Sequence, residues 1–245
     1  MLNKSRVLIL STAYLPQVGG SELAIKNIAD RLSEIDFDMI TLRSSKNFSA
    51  YEKNGNVNIY RVGEKWGVLS FLLPKFFFPI SVFFKARELV RKNGKYDVIH
   101  AYQASQAAGG GWLLKWFYPK TPFLLTVQEG KLLERQPRLL RFFRKFILKK
   151  IDAATAISSY LAEYVISQNP KIPVRVIPNG VDIAKFKIKN EKLKTDEKTI
   201  ITVSRLVEKN GVGDLIEAMS EIEKLRNLEI KKNNYPITQL PSYRL

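Results

Sequence analysis

Two adjacent glycines, Gly19 and Gly20, separate a short apolar run from an amphipathic stretch near the start of the chain. Glycines let the backbone approach a ligand closely, and a helix that begins at such a loop offers free N–H groups and the positive end of its dipole. The loop therefore suits a phosphate group or a sugar hydroxyl. Because it is neither G-x-G-x-x-G nor a P-loop, it gives little support to a nicotinamide or NTPase site.

The single histidine, His100, stands at the carboxyl end of a short apolar run that starts at Asp97. Open parallel sheets bind ligands at this end of their strands, so His100 is a candidate catalytic residue, although its position leaves a structural role equally open. One histidine cannot form a multi-histidine metal site, and the absence of cysteine excludes disulfides, thiolate zinc sites and cysteine nucleophiles. These two counts leave a metal ion held by carboxylates open.

Two cations, Arg205 and Lys209, lie in a segment that follows another apolar run. Arginine offers a planar fork of donors and lysine a point charge, a combination that suits a diphosphate. A solvated charged loop is the alternative from these residues alone. Earlier in the chain, Asn179-Gly180 is, as bare chemistry, a turn that ends a strand.

The chain carries 40 lysines and arginines against 23 aspartates and glutamates, a net charge of +17. This charge indicates an anionic partner (nucleic acid, a membrane surface or a phosphorylated substrate) or serves solubility. Cations concentrate between Lys131 and Lys150, where apolar residues recur at helical spacing. The pattern suits an anionic membrane surface, with an ordinary helix packed on a sheet as the alternative. The residues expected at the membrane surface are Arg138, Arg141, Arg144, Lys145 and Lys149.

Short apolar runs alternate with amphipathic stretches and must position all these residues. Such alternation predicts a parallel sheet covered on both faces, so we expect a doubly wound, Rossmann-like α/β domain. The predicted strands are Val7–Leu10, Phe37–Leu42, Asn58–Val62, Asp97–Ala101, Phe123–Val127, Ala153–Ile157 and Val174–Ile177. The predicted helices are Ser21–Glu34, Gln106–Phe117, Pro137–Lys150 and Ser158–Gln168.

A break in this alternation predicts the domain organisation. We expect a first domain over residues 1–186, a lysine-rich linker over 187–198, the start of a second Rossmann-like domain over 199–225 and an irregular tail over 226–245. The second domain would begin with a strand at Thr199–Val203 and a helix at Gly211–Lys224. One strand–helix unit cannot bury its own apolar face, so we expect this second domain to be incomplete.

The apolar stretch from Trp66 to Phe84 is the one candidate for a membrane span in the sequence. Pro74, Lys75 and Pro79 interrupt it, so we expect broken helices that pack or lie at an interface. The apolar run at the start of the chain is shorter than the core of a signal peptide and lacks a cleavage site. We expect a cytoplasmic protein that lies at the inner face of the membrane if its cationic stretch binds lipid.

Taken in order, these motifs resemble family 4 glycosyltransferases. The resemblance is carried by Gly19-Gly20, DVIH at Asp97–His100, AISSYL at Ala156–Leu161, VIPNGVD ending at Asp182 and SRLVEKNG at Ser204–Gly211. It extends from Val7 to about Lys224, and the last two motifs are specific as a pair.

The resemblance implies a GT-B fold, in which two Rossmann-like domains face a cleft. It implies an acceptor bound mainly by the first domain and a nucleotide-sugar donor bound mainly by the second. It also implies retention of configuration, and from it we expect no metal and no cofactor. By this likeness His100 contacts the reacting sugar or the acceptor. The residues expected to meet the donor diphosphate are Gly19, Gly20, Arg205 and Lys209, and those expected to bind the acceptor or its sugar are Gln128, Glu129 and Asn179.

Two features depart from the family pattern. Many relatives carry a histidine where this chain has Gln128, which can hydrogen-bond a sugar but cannot act as an acid or base near neutral pH. The family's second domain also carries two glutamates, separated by seven residues, that bind the donor sugar and its ribose. We recognise no segment of this sequence as that pair. We therefore expect most of the donor site to be lacking and the chain alone to transfer sugar weakly or not at all.

Two other functions stay open from the sequence. The chain would act as a non-catalytic module if it binds a glycan or lipid-linked acceptor and a separate polypeptide supplies the donor domain. A nucleic-acid-binding protein driven by the +17 charge is the third hypothesis, and it predicts steeply salt-dependent binding. No helix-turn-helix, zinc-finger or RNA-binding signature accompanies the charge, so we expect no nucleic-acid partner.

Overall fold

An eight-stranded sheet forms the centre of the computed structural model, which describes residues 4–63, 74–129, 137–186, 200–204 and 206–233. The strands are β1 Ser5–Leu10, β2 Ile35–Leu42, β3 Tyr51–Asn54, β4 Val57–Val62, β5 Val98–Tyr102, β6 Phe123–Val127, β7 Ala153–Ala156 and β8 Val174–Val176. Their order across the sheet is β3-β4-β2-β1-β5-β6-β7-β8, and neighbours are parallel except for the antiparallel pair β3 and β4.

Helices connect the parallel strands. They are α1 Gly20–Ala29, α2 Pro74–Asn93, α3 Gln106–Phe117, α4 Arg138–Leu148, α5 Ser159–Gln168 and α6 Val212–Asn233, with 3-10 turns at Ile183–Phe186 and Glu208–Asn210. Helix α5 begins where the sequence predicts, because the Ser158 hydroxyl accepts a hydrogen bond from the backbone N–H of Leu161.

Apolar side chains alternate between the two faces of the sheet, and each face has its own core. On β1, Ile9 packs in a cluster with Ile25 of α1, whereas Leu8 packs in a second cluster with Phe78 and Val82 of α2. Because both faces are covered, the strands appear in the sequence as continuous apolar runs. The predicted doubly wound, Rossmann-like parallel sheet is therefore confirmed.

The hairpin of β3 and β4 is one element that the sequence patterns did not predict in full. Its turn uses Gly55, whose φ is +59°, a conformation that favours glycine. The side chain of the next residue, Asn56, donates to the carbonyl oxygens of Ala29, Leu32 and Ile35 at 3.1, 2.8 and 3.1 Å. The amide therefore ties the hairpin to the end of α1, a contact that no local pattern predicts.

Helix α2 contradicts the expectation of broken helices as far as it is described. Pro79 lies in the second turn of the continuous helix Pro74–Asn93, where the loss of its N–H removes one backbone hydrogen bond and does not end the helix. Residues 64–73 of the predicted apolar stretch lie outside the described residues. In the parts of the chain that the structure describes, no helix is long and apolar enough to cross a membrane.

The chain divides into two compact units, Met1–Val181 and Asp182–Leu245. In the second unit, Ile200–Val203 forms no strand, contrary to prediction, because a strand exists only when paired and no partner strand occurs among the described residues of this unit. The prediction of an irregular tail from residue 226 is also wrong as far as Asn233. Helix α6 continues there because Arg, Leu, Glu, Ile and Lys are helix formers, and residues 234–245 lie outside the described residues.

Three glycines on α3 allow α2 and β6 to approach this helix closely. A Cβ on Gly110 would overlap Val82 of α2, and a Cβ on Gly111 would overlap the ring of Phe123 in β6. A Cβ on Gly109 would meet only the ring of Pro79, at 3.2 Å. Gly110 and Gly111 therefore set how closely α3 packs on α2 and on the amino end of β6.

We expect Gly111→Ala to lower the free energy of unfolding by about 1–3 kcal/mol relative to Gly109→Ala. Both changes add the same helix propensity, so the difference reports the overlap with Phe123. Urea denaturation followed by circular dichroism measures it. Equal stability of the two variants would show that β6 and α3 are not tightly packed at this point.

Candidate functional site

The loop after β5 lies at the carboxyl edge of the sheet and contains a strained residue. Gln103 has a φ of +67°, in the left-handed region that residues other than glycine rarely adopt. Its backbone N–H donates to the carbonyl oxygen of Thr126 in β6 at 2.8 Å. Nearby, the hydroxyls of Thr12 and Ser105 lie 3.0 Å apart. Neighbouring strands therefore hold the loop in a shape that it would not adopt alone.

Glu129 and Arg144 hold the next peptide of this loop from two sides. The backbone N–H of Ala104 donates to Glu129 Oε1 at 2.5 Å, and Arg144 Nε donates to the carbonyl oxygen of Ala104 at 3.1 Å. The Arg144 side chain is buried, with a relative exposure of 5%. We call Glu129, Ala104 and Arg144 the Ala104 clamp.

Burial shapes the electrostatics of the Ala104 clamp. Desolvation raises the pKa of Glu129, while the N–H of Ala104 and the positive charge of Arg144 lower it in part. The other carboxylate oxygen, Oε2, is buried and accepts no hydrogen bond from any described residue. A buried acceptor without a donor is costly, which makes Oε2 a candidate contact for a ligand.

A cavity of about 660 Å³ opens beside the Ala104 clamp and belongs wholly to the first unit. Its volume falls within the roughly 300–1,000 Å³ that small-molecule sites occupy. Its polar lining comes from Gln103, Ser105, Gln106, Glu129 and Arg144, and its apolar lining from Pro79, Ala104, Gly109, Trp112, Leu113, Leu139, Leu140, Phe143, Phe146 and Ile147.

His100 lies in the middle of β5 rather than at its end. Its Nε2 is 2.7 Å from the Thr126 hydroxyl, which in turn lies 2.7 Å from the Thr155 hydroxyl of β7. The ring also packs on that of Tyr102, with centroids 4.4 Å apart. Burial lowers the pKa of His100 to about 4, so the imidazole is neutral at neutral pH. In this neutral form the ring can donate or accept a hydrogen bond, but it carries no additional proton to give up as a general acid.

Gln128 and Asn179 meet on the other side of the strand end from Glu129. Gln128 Nε2 donates to Asn179 Oδ1 at 3.2 Å, and Gln128 Oε1 is buried without a hydrogen-bond partner among the described residues. Thr126 and Val127 point to opposite faces of β6, and the two residues that follow the strand have separate partners: Gln128 contacts Asn179, whereas Glu129 accepts from the N–H of Ala104. The three residues predicted to bind acceptor thus fall into two places: Gln128 with Asn179, and Glu129 in the cavity.

The loop at Gly19 and Gly20 begins α1, as the sequence predicts, with Gly19 as the residue before the helix. The Glu22 carboxylate folds back over this end, where a Cβ on Gly19 would overlap it, and it accepts a hydrogen bond from the Ser21 hydroxyl at 3.2 Å. A carboxylate at the amino end of a helix already compensates the positive end of the helix dipole. The loop therefore favours a hydrogen-bond donor such as a sugar hydroxyl over a phosphate while Glu22 stays in place.

The predicted diphosphate cations lie in the second unit. Arg205 lies outside the described residues. Lys209 falls in the 3-10 turn Glu208–Asn210, and the structure describes its backbone but not its side chain. Their roles stay predictions.

Helix α4 corrects one predicted membrane contact. Arg144 is not at the surface, because it is buried in the Ala104 clamp. Arg138, Arg141, Lys145 and Lys149 are exposed. Arg144 is three and four residues before the buried Ile147 and Leu148, a helical spacing that is consistent with an inner position for Arg144. This spacing is hard to recognise in the sequence because Arg144 lies among several other cations.

The fold and this edge define a Rossmann-like protein of the kind that binds ligands where its parallel strands end. Residues 18–185, more than half of the chain, match Glycosyltransferase Family 4. The chain therefore belongs to glycosyltransferase family 4, as the sequence motifs indicate.

Three curated relatives are similar to most of this chain. An uncharacterized glycosyltransferase of Methanocaldococcus jannaschii is 26% identical over 243 residues, which is 92% of this chain and 63% of that protein. The alpha-monoglucosyldiacylglycerol synthase of Streptococcus pneumoniae is 24% identical, covering 89% of this chain and 53% of that protein. One component of the phosphatidylinositol N-acetylglucosaminyltransferase of Arabidopsis thaliana is 25% identical, with 91% and 50% covered. The chain thus spans between half and two thirds of their length.

Solved structures support the fold. Sucrose-phosphate synthase of Thermosynechococcus elongatus superposes with a TM-score of 0.66 at 19% identity, covering 90% of this chain and 60% of that one. The N-terminal domain of Candida albicans trehalose-6-phosphate phosphatase gives a TM-score of 0.54 at 14% identity, covering 89% and 54%. At these identities the similarity shows the fold alone.

We expect the imidazole of His100 to titrate with a pKa near 4, well below the ordinary value of about 6.5. Because the chain has one histidine, its ring protons are assigned in proton NMR spectra without further labelling. A pH titration of the folded protein measures the midpoint. A midpoint near 6.5 would show that water reaches the imidazole ring despite its hydrogen bond with Thr126.

Proposed function

We propose that this protein transfers a sugar from a nucleotide-sugar donor to a glycan or lipid-linked acceptor, with retention of configuration and without a metal ion. Membership of glycosyltransferase family 4 carries the proposal, because the match covers nearly all of the first unit. That unit gathers Gln128, Asn179 and the Ala104 clamp at the edge where parallel sheets bind ligands.

The residues at this edge support binding and electrostatic roles rather than proton transfer. Gln128 is a neutral amide and His100 is a neutral imidazole at pH 7, so neither supplies a proton to the leaving group. We propose that Gln128 and Asn179 orient a sugar hydroxyl and that His100 positions this region through Thr126. Arg205 and Lys209 would stabilise the departing diphosphate, whose charge grows in the transition state.

Transfer is tested with the purified chain, labelled nucleotide sugars and membrane lipids as acceptors. We expect Gln128→Ala to lower product formation about tenfold or more relative to the unchanged chain. Asn47→Ala, a change of an exposed loop residue, is the matched control. NMR of the product gives the anomeric configuration.

The outcomes of this assay separate the candidate functions. Robust turnover would contradict the expected weakness of the chain alone. Inversion at the anomeric carbon would reject the retaining mechanism. Complete absence of product with acceptor binding intact would favour the non-catalytic acceptor-binding module, and tight salt-sensitive binding of duplex DNA would favour the nucleic-acid hypothesis that we do not expect.

We further propose that the protein acts on the cytoplasmic side of a membrane, with α4 against anionic lipid. Helix α4 and the residue that follows it expose four cations, Arg138, Arg141, Lys145 and Lys149, and α4 also exposes aromatic side chains. This combination suits a lipid surface. The names of two relatives refer to lipids, diacylglycerol and phosphatidylinositol, which supports the same proposal.

We expect replacement of Arg138, Arg141 and Lys145 together by glutamine to weaken binding to vesicles of phosphatidylglycerol and phosphatidylcholine by about a hundredfold, since each cation near an anionic surface contributes about 1 kcal/mol. The control replaces three exposed cations elsewhere, Arg91, Lys92 and Lys171, which removes the same charge. Co-sedimentation measures both. Equal loss in the two variants would show attraction by net charge without a docking face.

A further inference from the structure

The cavity beside the Ala104 clamp has apolar walls and one polar end. Helix α3 supplies Gly109, Trp112 and Leu113, and α4 supplies apolar side chains on the opposite side, including Phe143. The polar residues come from the loop after β5, from Glu129 and from Arg144. A molecule that fills this cavity is therefore apolar over most of its length and polar at one end.

The polar end requires a hydrogen-bond donor. Glu129 Oε1 already accepts from Ala104, whereas Oε2 is buried and has no donor among the described residues. A hydroxyl group supplies the donor that Oε2 lacks. A carboxylate or phosphate in the same place brings no such donor, so Oε2 would stay unpaired.

The apolar walls argue against an oligosaccharide inside the cavity. Each sugar ring carries several hydroxyls that need partners once they leave water, and the walls formed by α3 and α4 offer few. An alkyl or prenyl chain needs none and gains from the removal of its surface from water. The shape and chemistry of the cavity therefore favour a chain over a glycan.

We propose that the cavity binds a lipid alcohol, with its hydrocarbon chain between α3 and α4 and its hydroxyl donating to Glu129 Oε2. This inference rests on the proposed function in one respect: it identifies the acceptor as a lipid bearing a hydroxyl. The Ala104 clamp then has a second role, because it holds the carboxylate that recognises the hydroxyl. The proposal concerns a bound single molecule and is separate from adsorption of α4 to a bilayer.

Two probes of similar length test the hydroxyl contact, 1-decanol and decyl methyl ether, which lacks the donor. Isothermal titration calorimetry with the purified 245-residue chain, below the solubility limit of each probe, gives both dissociation constants. We expect decanol to bind about tenfold more tightly than the ether, since the ether leaves Oε2 unpaired. Equal affinity, or no binding of decanol, would overturn the proposal.

Adjacent phenylalanines on α4 distinguish the cavity from the outer surface of the helix. Phe142 and Phe143 are exposed to 56% and 55%, but only Phe143 lines the cavity. We expect Phe143→Ala to weaken decanol binding about tenfold and Phe142→Ala to leave it unchanged. Equal weakening in both variants would indicate adsorption to an exposed aromatic surface and overturn the assignment of the cavity.

Glu129→Gln tests the role of the carboxylate while the side chain keeps its size and shape. The amide oxygen can still accept from Ala104, while the amide nitrogen that replaces Oε2 cannot accept from an alcohol. We expect the preference for decanol over the ether to fall from about tenfold to about one. A preserved preference would show that another group recognises the hydroxyl, which contradicts the proposal.

Failure of this inference is distinguishable from failure of the proposed function. Selective decanol binding in a protein that transfers no sugar supports the cavity assignment and rejects catalysis by this chain. Sugar transfer to a glycan acceptor, with no decanol binding, supports the transferase and overturns the lipid alcohol.

Discussion

The peptide of Ala104, held between a buried carboxylate and a buried guanidinium, is the interaction on which the site depends. Glu129 accepts its N–H and Arg144 donates to its carbonyl, so the end of β5, the end of β6 and helix α4 are joined at one point. Burial makes each partner costly to leave alone, because an unpaired charge in this place loses its hydration without compensation. The loop with the strained Gln103 is fixed as a consequence, and the cavity keeps its polar end.

The end of β6 and the two residues that follow it have two different surroundings at the edge of the sheet. Thr126 and Gln128 face His100 and Asn179, where neutral groups exchange hydrogen bonds. Val127 and Glu129 face α3 and α4, where the surroundings are apolar. A parallel sheet with both faces covered offers both environments within two residues of one strand. This arrangement is what allows the proposed sugar contact and the proposed hydrocarbon contact to involve neighbouring residues of the same segment.

Much of the first unit could be predicted from local pattern. The apolar runs located most of the strands to within one or two residues, and the family motifs located the loops that lie at the sheet's edge. The failures share a cause. The hairpin strand Tyr51–Asn54 is exposed and polar, so its pairing with β4 leaves no apolar signature. The strand expected at Thr199–Val203 has the right composition, but pairing depends on a second strand and not on composition.

The sequence by itself determined the fold class, the family, the sole histidine and the excess of positive charge, since each follows from composition or from residues close together in the chain. Only the tertiary structure decided what Arg144 does. Cations of α4 look alike in the sequence, yet one is buried against Ala104, forty residues away, while its neighbours stay exposed. Which face of a helix turns inward depends on the strands and helices that it meets, and those contacts join residues that no local pattern relates.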